Sequence, residues 1–137
     1  MTPRRLLPAD VAPDDLDRPF WEGVEQHRFL VHRCRTCGRS YWPASSCVDH
    51  GGANMEWTEA SGRGQVHTFA VYRQAVDPAW ADRVPYVVAV VRLDEGPFFH
   101  SDLPGIPVDD VAIGQLVHVE YEDVEGGTIP HFVVDGR

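Results

Sequence analysis

The sequence predicts a mainly β protein in which a short N-terminal helix and a compact ribbon precede a five-stranded barrel. Three observations carry this. Five segments between Gly64 and Val134 have strand length and strand periodicity, separated by turns rich in Gly, Pro and Asp. Two short pieces, Cys34-Arg35-Thr36-Cys37-Gly38 and Cys47-Val48-Asp49-His50-Gly51, repeat one pattern. A single stretch after Asp17 has helical spacing instead.

The N-terminal elements follow in order. Residues 1–16 are rich in Pro, Asp and Ala and read as an extended arm. Asp17 can cap a helix running to about His27, with Pro19 in its first turn. Phe20, Val24 and Trp21 give it an apolar face, either packed on the ribbon or presented to a partner. Phe29 to Arg33 reads as a strand leading into the first repeat. Tyr41-Trp42-Pro43 lies on the return side, and Gly51 to Asn54 ends the ribbon, which is assigned residues 17–56.

The repeated pieces have the form of zinc knuckles. Each places two metal ligands with two residues between them and follows them with a glycine, whose freedom at positive φ ends the tight turn. The set is Cys34, Cys37, Cys47 and His50, which uses all three cysteines and one of the seven histidines. The alternatives are inert buried thiols or one disulfide with a spare cysteine. An odd count argues against a disulfide framework. The N-terminus lacks an apolar signal segment, which points to the cytoplasm, where thiols stay reduced. His50 rests on spacing and on Gly51, and His32, just before Cys34, is its competitor. Four protein ligands close the tetrahedron, so the expected role of zinc is structural.

The barrel is assigned residues 57–137. Gly64 to Gln74 is its long first strand, apolar on both faces and therefore covered on both sides or strongly curved. A loop with Asp77-Pro78 and an exposed Trp80 leads to a second strand, Pro85 to Leu93. Asp94 to Gly96 turns it into a third, Pro97 to Leu103. A connector with room for one helical turn around Val108 to Val111 precedes the fourth strand, Gly114 to Glu122. Asp123 to Gly127 turns the chain into the fifth, Thr128 to Val134. Five strands with the connector between the third and fourth give the order of an OB-fold, with an SH3-like barrel as the alternative.

Charge and motif searches narrow the function. The 137 residues carry a formal net charge of −9 and no lysine. Residues 51–137 hold five Arg against fourteen Asp and Glu, while residues 1–50 are balanced. That distribution is unsuited to a phosphate backbone, although Arg33, Arg35 and Arg39 could form a local basic patch. No run of eighteen apolar residues is present for a membrane helix. The serines lack a nucleophile elbow, and Ser61-Gly62-Arg63-Gly64 precedes a strand, not the helix a phosphate loop needs. His67, His100, His118 and His131 all fall on expected strands, where a half-exposed histidine needs no function. The residues therefore favour a binding or scaffold protein with no catalytic residues.

Beyond these readings, the ordered motifs resemble a known family. Phe20-Trp21-Glu22-Gly23, the first knuckle, Trp42-Pro43 and Cys47 are similar to the N-terminal half of domain of unknown function family 35. Trp57 to Val66, Pro85 to Gly96 and Ile113-Gly114 are similar to its second half, so the resemblance runs from about residue 17 to the end. It implies a rubredoxin-like zinc ribbon joined to an OB-fold. It also implies an accessory subunit of a thiolase, a lipid-transfer-protein-like retro-aldolase or a related enzyme, helping to bind or channel acyl-CoA. One branch of the family acts in steroid side-chain degradation. His50 departs from the family pattern, which has cysteine there. With an acidic barrel, contacts to CoA phosphates would fall to Arg63, Arg73 or Arg92, or to the partner. The alternatives are a nucleic-acid-binding zinc-ribbon/OB-fold protein and a free-standing acyl-CoA-binding module.

Overall fold

The computed structural model describes residues 16–75 and 77–136, so the expected N-terminal arm, apart from Leu16, lies outside the described residues. The elements are α1 (Arg18–Glu25), β1 (Leu30–Cys34), β2 (Ser40–Tyr41), β3 (Met55–Glu59), β4 (Arg63–Tyr72), β5 (Tyr86–Leu93), β6 (Phe98–Asp102), β7 (Leu116–Val124) and β8 (Gly127–Val134). Two 3₁₀ turns, Pro78–Trp80 and Val108–Asp110, interrupt the long loops, the second at the place expected from the sequence.

Helix α1 starts where Pro19 predicts, but Asp17 does not cap it through its side chain. The Asp17 carboxylate instead accepts the Ala44 N–H at 2.9 Å, tying the helix entrance to the ribbon. The helix stops at Glu25, short of His27, whose backbone takes a left-handed conformation (φ 58°). The Arg28 N–H then returns to the Gly23 carbonyl at 2.8 Å. Gly23 is required there, because a Cβ would sit 2.9 Å from Leu30 Cγ.

The ribbon is a three-stranded antiparallel sheet in the order β2-β1-β3. Strand β3 was not expected. It pairs with all of β1, from Leu30 opposite Glu59 to Cys34 opposite Met55, and so runs across the 56/57 division drawn from the sequence. The barrel sheet has the order β6-β5-β4-β7-β8, every pair antiparallel. In barrel numbering this is 3-2-1-4-5, and β6 and β8 face each other to close it. At that seam a side chain supplies a bond the ladder lacks: the buried Phe132 N–H donates to Ser101 Oγ at 3.0 Å. Strand β4 resolves its two apolar faces by curving. A bulge between Val66 and Thr68 bends it, and Thr68, Ala70 and Tyr72 are left exposed, not covered.

The core runs through both halves. Phe20 and Phe29, from the N-terminal part, lie 5.3 Å apart by ring centroid. Phe29 meets Phe99 of β6 at 5.1 Å and Phe132 of β8 at 5.6 Å. Trp42 closes on Phe99 at 4.7 Å. Phe20 and Phe29 are 1% and 2% exposed, so the ribbon's aromatics sit inside the junction with the barrel. A second tie lies nearer the surface, where His27 stacks on Tyr121 at 4.8 Å and bonds Asp123 at 3.0 Å. Burial there, with the Glu59 charge added, pushes the Tyr121 hydroxyl up to about 12.

Candidate metal centre and its surroundings

Strand β1 delivers Cys34 to the mouth of the first knuckle. The Cys34 N–H donates to the Arg39 carbonyl at 2.9 Å, and the Gly38 N–H returns to the Cys34 carbonyl at 2.8 Å. Gly38 ends that turn at φ +78°. The second knuckle is a near copy. Cys47 and Gly51 exchange both backbone hydrogen bonds, at 3.0 and 2.9 Å, and Gly51 has φ +68°. Tyr41 supports it from β2, its hydroxyl accepting the Val48 N–H at 3.1 Å.

The two turns bring Cys34, Cys37, Cys47 and His50 together, with all four ligand atoms within 4.8 Å of one another. Cys37 and Cys47 sulfurs are 3.7 Å apart, and His50 Nδ1 lies 3.5 Å from Cys47 Sγ and 3.8 Å from Cys34 Sγ. Zn–S bonds of about 2.3 Å and a Zn–N bond of about 2.0–2.1 Å at tetrahedral angles require about 3.8 Å between sulfurs and about 3.5–3.6 Å from sulfur to nitrogen. The observed separations fit one zinc ion. Cys34 and Cys47 are buried, while Cys37 and His50 form the exposed side.

The electrostatics favour thiolates on the buried side. The Asp49 backbone N–H, then the Tyr41 hydroxyl, draw the Cys47 thiol down to about 6. The Cys37 backbone N–H likewise lowers Cys34. Cys37 is pulled down by the Arg39 N–H, but burial and the neighbouring sulfurs outweigh this and raise it. The Cys47 sulfur in turn raises His50. His32, the competing ligand, is placed elsewhere: its Nδ1 accepts the Ser45 N–H at 2.9 Å, its ring packs on Trp57 at 4.7 Å, and burial lowers its pKa.

The arginines of the expected basic patch are partly neutralised. Glu56 of β3 takes Arg33 at 3.3 Å and Arg35 at 3.0 Å. Arg63 faces Asp135 at 3.5 Å and Arg73 faces Asp109 at 3.7 Å, while Arg92 stands exposed on β5. The four strand histidines occupy β4, β6, β7 and β8 as expected. His67 is exposed beside Phe98, and His118 bonds Asp135. His131 was not singled out by its sequence surroundings, yet it is clamped between two carboxylates. Nδ1 meets Asp102 and Nε2 meets Glu122, both at 2.7 Å. Its partners come from β6 and β7, so only the barrel's closure assembles the trio. Both ring nitrogens are thus engaged by carboxylates.

Two family models match the chain in tandem: the ChsH2 rubredoxin-like zinc ribbon domain over residues 21–56 and the ChsH2 C-terminal OB-fold domain over residues 57–122. A solved structure, the Ltp2-ChsH2(DUF35) aldolase, contains a chain that is 30% identical, with a TM-score of 0.80 over 90% of this chain and 98% of that one. The chain belongs to the DUF35 family. Its Cys/His cluster and the ribbon match make zinc the metal of this DUF35 protein.

Curated relatives carry several names. A probable enoyl-CoA hydratase alpha subunit of Thermomonospora curvata is 35% identical over 120 residues, covering 85% of this chain and 37% of the relative. The 3-oxo-4,17-pregnadiene-20-carboxyl-CoA hydratase alpha subunit of Mycobacterium tuberculosis is 30% identical, covering 85% of this chain and 40% of the relative. The chain thus spans about two fifths of the length of these two subunits. A DUF35 domain-containing scaffold protein of Methanocaldococcus jannaschii is 28% identical, over 81% of this chain and 83% of the relative. No helix among the described residues is long and apolar enough to cross a membrane.

Proposed function

We propose that this chain is a non-catalytic, zinc-folded accessory subunit. It assembles with a thiolase-type enzyme, a thiolase or a lipid-transfer-protein-like retro-aldolase, and helps bind or channel acyl-CoA in lipid or steroid side-chain degradation. The observation that carries this is the likeness, over nearly the whole of the matched chain, to the DUF35 component of an aldolase. The scaffold name of the archaeal relative supports the non-catalytic role, and the CoA-named relatives support the substrate class. Zinc is held by Sγ of Cys34, Cys37 and Cys47 and by Nδ1 of His50, and it folds the ribbon without taking part in chemistry. Residues 17–56 and 57–137 act as a metal-folded half and a barrel half joined through one core.

Co-expression with a thiolase or a lipid-transfer-protein-like retro-aldolase from the same source tests the assembly. A stable co-eluting complex on size exclusion, with acyl-CoA turnover that requires both proteins, is the expected result. Failure to associate across salt and pH, or turnover of an acyl-CoA by this chain alone, would overturn it.

A further inference from the structure

The loop between β4 and β5 lays Trp80 against Tyr86, ring centroids 5.0 Å apart, and Arg83 sits 5.0 Å above the Trp80 ring. Trp21 of α1, braced edge-on against Phe20 at 5.1 Å, and Phe99 of β6 add two more aromatic walls. Together they bound a cavity of about 330 Å³ beside the β6/β8 seam. A second cavity of about 310 Å³ continues past Trp80 and Tyr86 towards Leu103 and Ile106. Asp102 borders both, its carboxylate already accepting from His131. None of the four metal ligands lines this groove, which Trp21 of α1 and the barrel wall together.

Size, shape and charge define what fits. A cavity of about 150 Å³ suffices for benzene, so the first cavity takes two to three fused rings. Aromatic walls reward a flat ring by stacking, whereas a flexible chain would lose rotamer entropy on entering. The polar side presents a carboxylate acceptor, which calls for a hydroxyl or amide N–H donor. At this end the Asp102 carboxylate disfavours an anionic group, and Arg83, which borders the second cavity, is engaged on the Trp80 ring. We propose that the chain binds a neutral, flat, two- to three-ring apolar ligand in this groove, with its hydrogen-bond donor directed at Asp102.

The test uses the zinc-loaded full chain, labelled with ¹⁵N, and the indole N–H resonances of its four tryptophans. Titration with 2-naphthol is expected to give saturable shifts of Trp21 and Trp80, with Trp42 and Trp57, which do not line the groove, unmoved. The anionic probe 2-naphthoate is expected to bind at least about tenfold more weakly. Trp80→Ala removes one wall and is expected to weaken 2-naphthol about tenfold. Ile129→Trp fills the groove from β8 and abolishes binding without removing any wall, so a folding defect in one variant does not decide the result. No saturable shift at millimolar 2-naphthol, equal shifts of all four indoles, equal binding of 2-naphthoate, or unaltered binding in both variants would overturn the proposal. None of these outcomes bears on assembly with an enzyme, so the groove and the accessory role can fail separately.

Discussion

Phe29 precedes the ribbon's first strand, yet its ring lies among Phe20, Phe99 and Phe132, with centroids 5.1–5.6 Å away. At 2% exposure it has no room to relax when truncated. Phe29→Ala removes the transfer free energy of the ring and leaves a cavity walled by both halves, a loss of about 3–5 kcal/mol. Against a total stability of about 5–15 kcal/mol, this is a large fraction. With a urea m-value of about 1–3 kcal/mol/M, the midpoint should fall by about 2 M. Because the cavity belongs to ribbon and barrel alike, zinc release and loss of barrel structure should move together. The assay follows zinc with a chelating dye and the barrel by far-ultraviolet circular dichroism on the same urea series. Two separated transitions, or a barrel midpoint unchanged while zinc is lost earlier, would refute the shared core.

Four further outcomes are expected. His50→Ala should weaken zinc binding by more than about a hundredfold, beyond the 10–100-fold typical of a lost outer-shell partner, whereas His50→Cys should retain it; competition against a zinc dye reads both. Since zinc needs three thiolates and its binding releases their protons, the same dye should report zinc leaving as the pH falls, and not as it rises. The folded pKa of His131 is raised, first by its bond to Asp102, so its stabilising contribution is full below the unfolded value of 6.5 and is lost as pH rises through the folded value; the stability gap between wild type and His131→Gln in urea should therefore be wider at pH 6 than at pH 9, and an equal gap would sink this account. Ser101→Ala orphans the buried Phe132 N–H and should cost about 1–3 kcal/mol by the same measurement, with Ser101→Thr less damaging.

Much of this molecule was legible before any coordinates. Knuckle spacing is local chemistry, so Cys34, Cys37, Cys47 and His50 could be read as one set, and their atoms now lie within reach of one ion. The five barrel strands were legible because each alternates or runs apolar between strong turn residues. Strand β3 was missed because Met55 to Glu59 is short, nearly all half-buried, and offers only two apolar side chains, Met55 and Trp57. Phe20 and Trp21 were left between core and interface because periodicity shows that a face is apolar, not what covers it. The His131 trio and the Trp21/Trp80 groove have no local signature: their members come from separate elements and meet only when β6 and β8 close. Asp17 shows the limit of capping rules, since a tertiary acceptor role at Ala44 displaced the local one.

The junction packing also orders events during synthesis. Helix α1 rests on β8 as well as on β1, so the first and last described elements complete each other. Both knuckles precede Phe99 and Phe132 in the sequence, so all four donors are made while the ribbon's interior is still open to water. Because zinc retention and the barrel share that interior, firm metal binding should wait for β8, and a chain stalled before it should lose zinc readily.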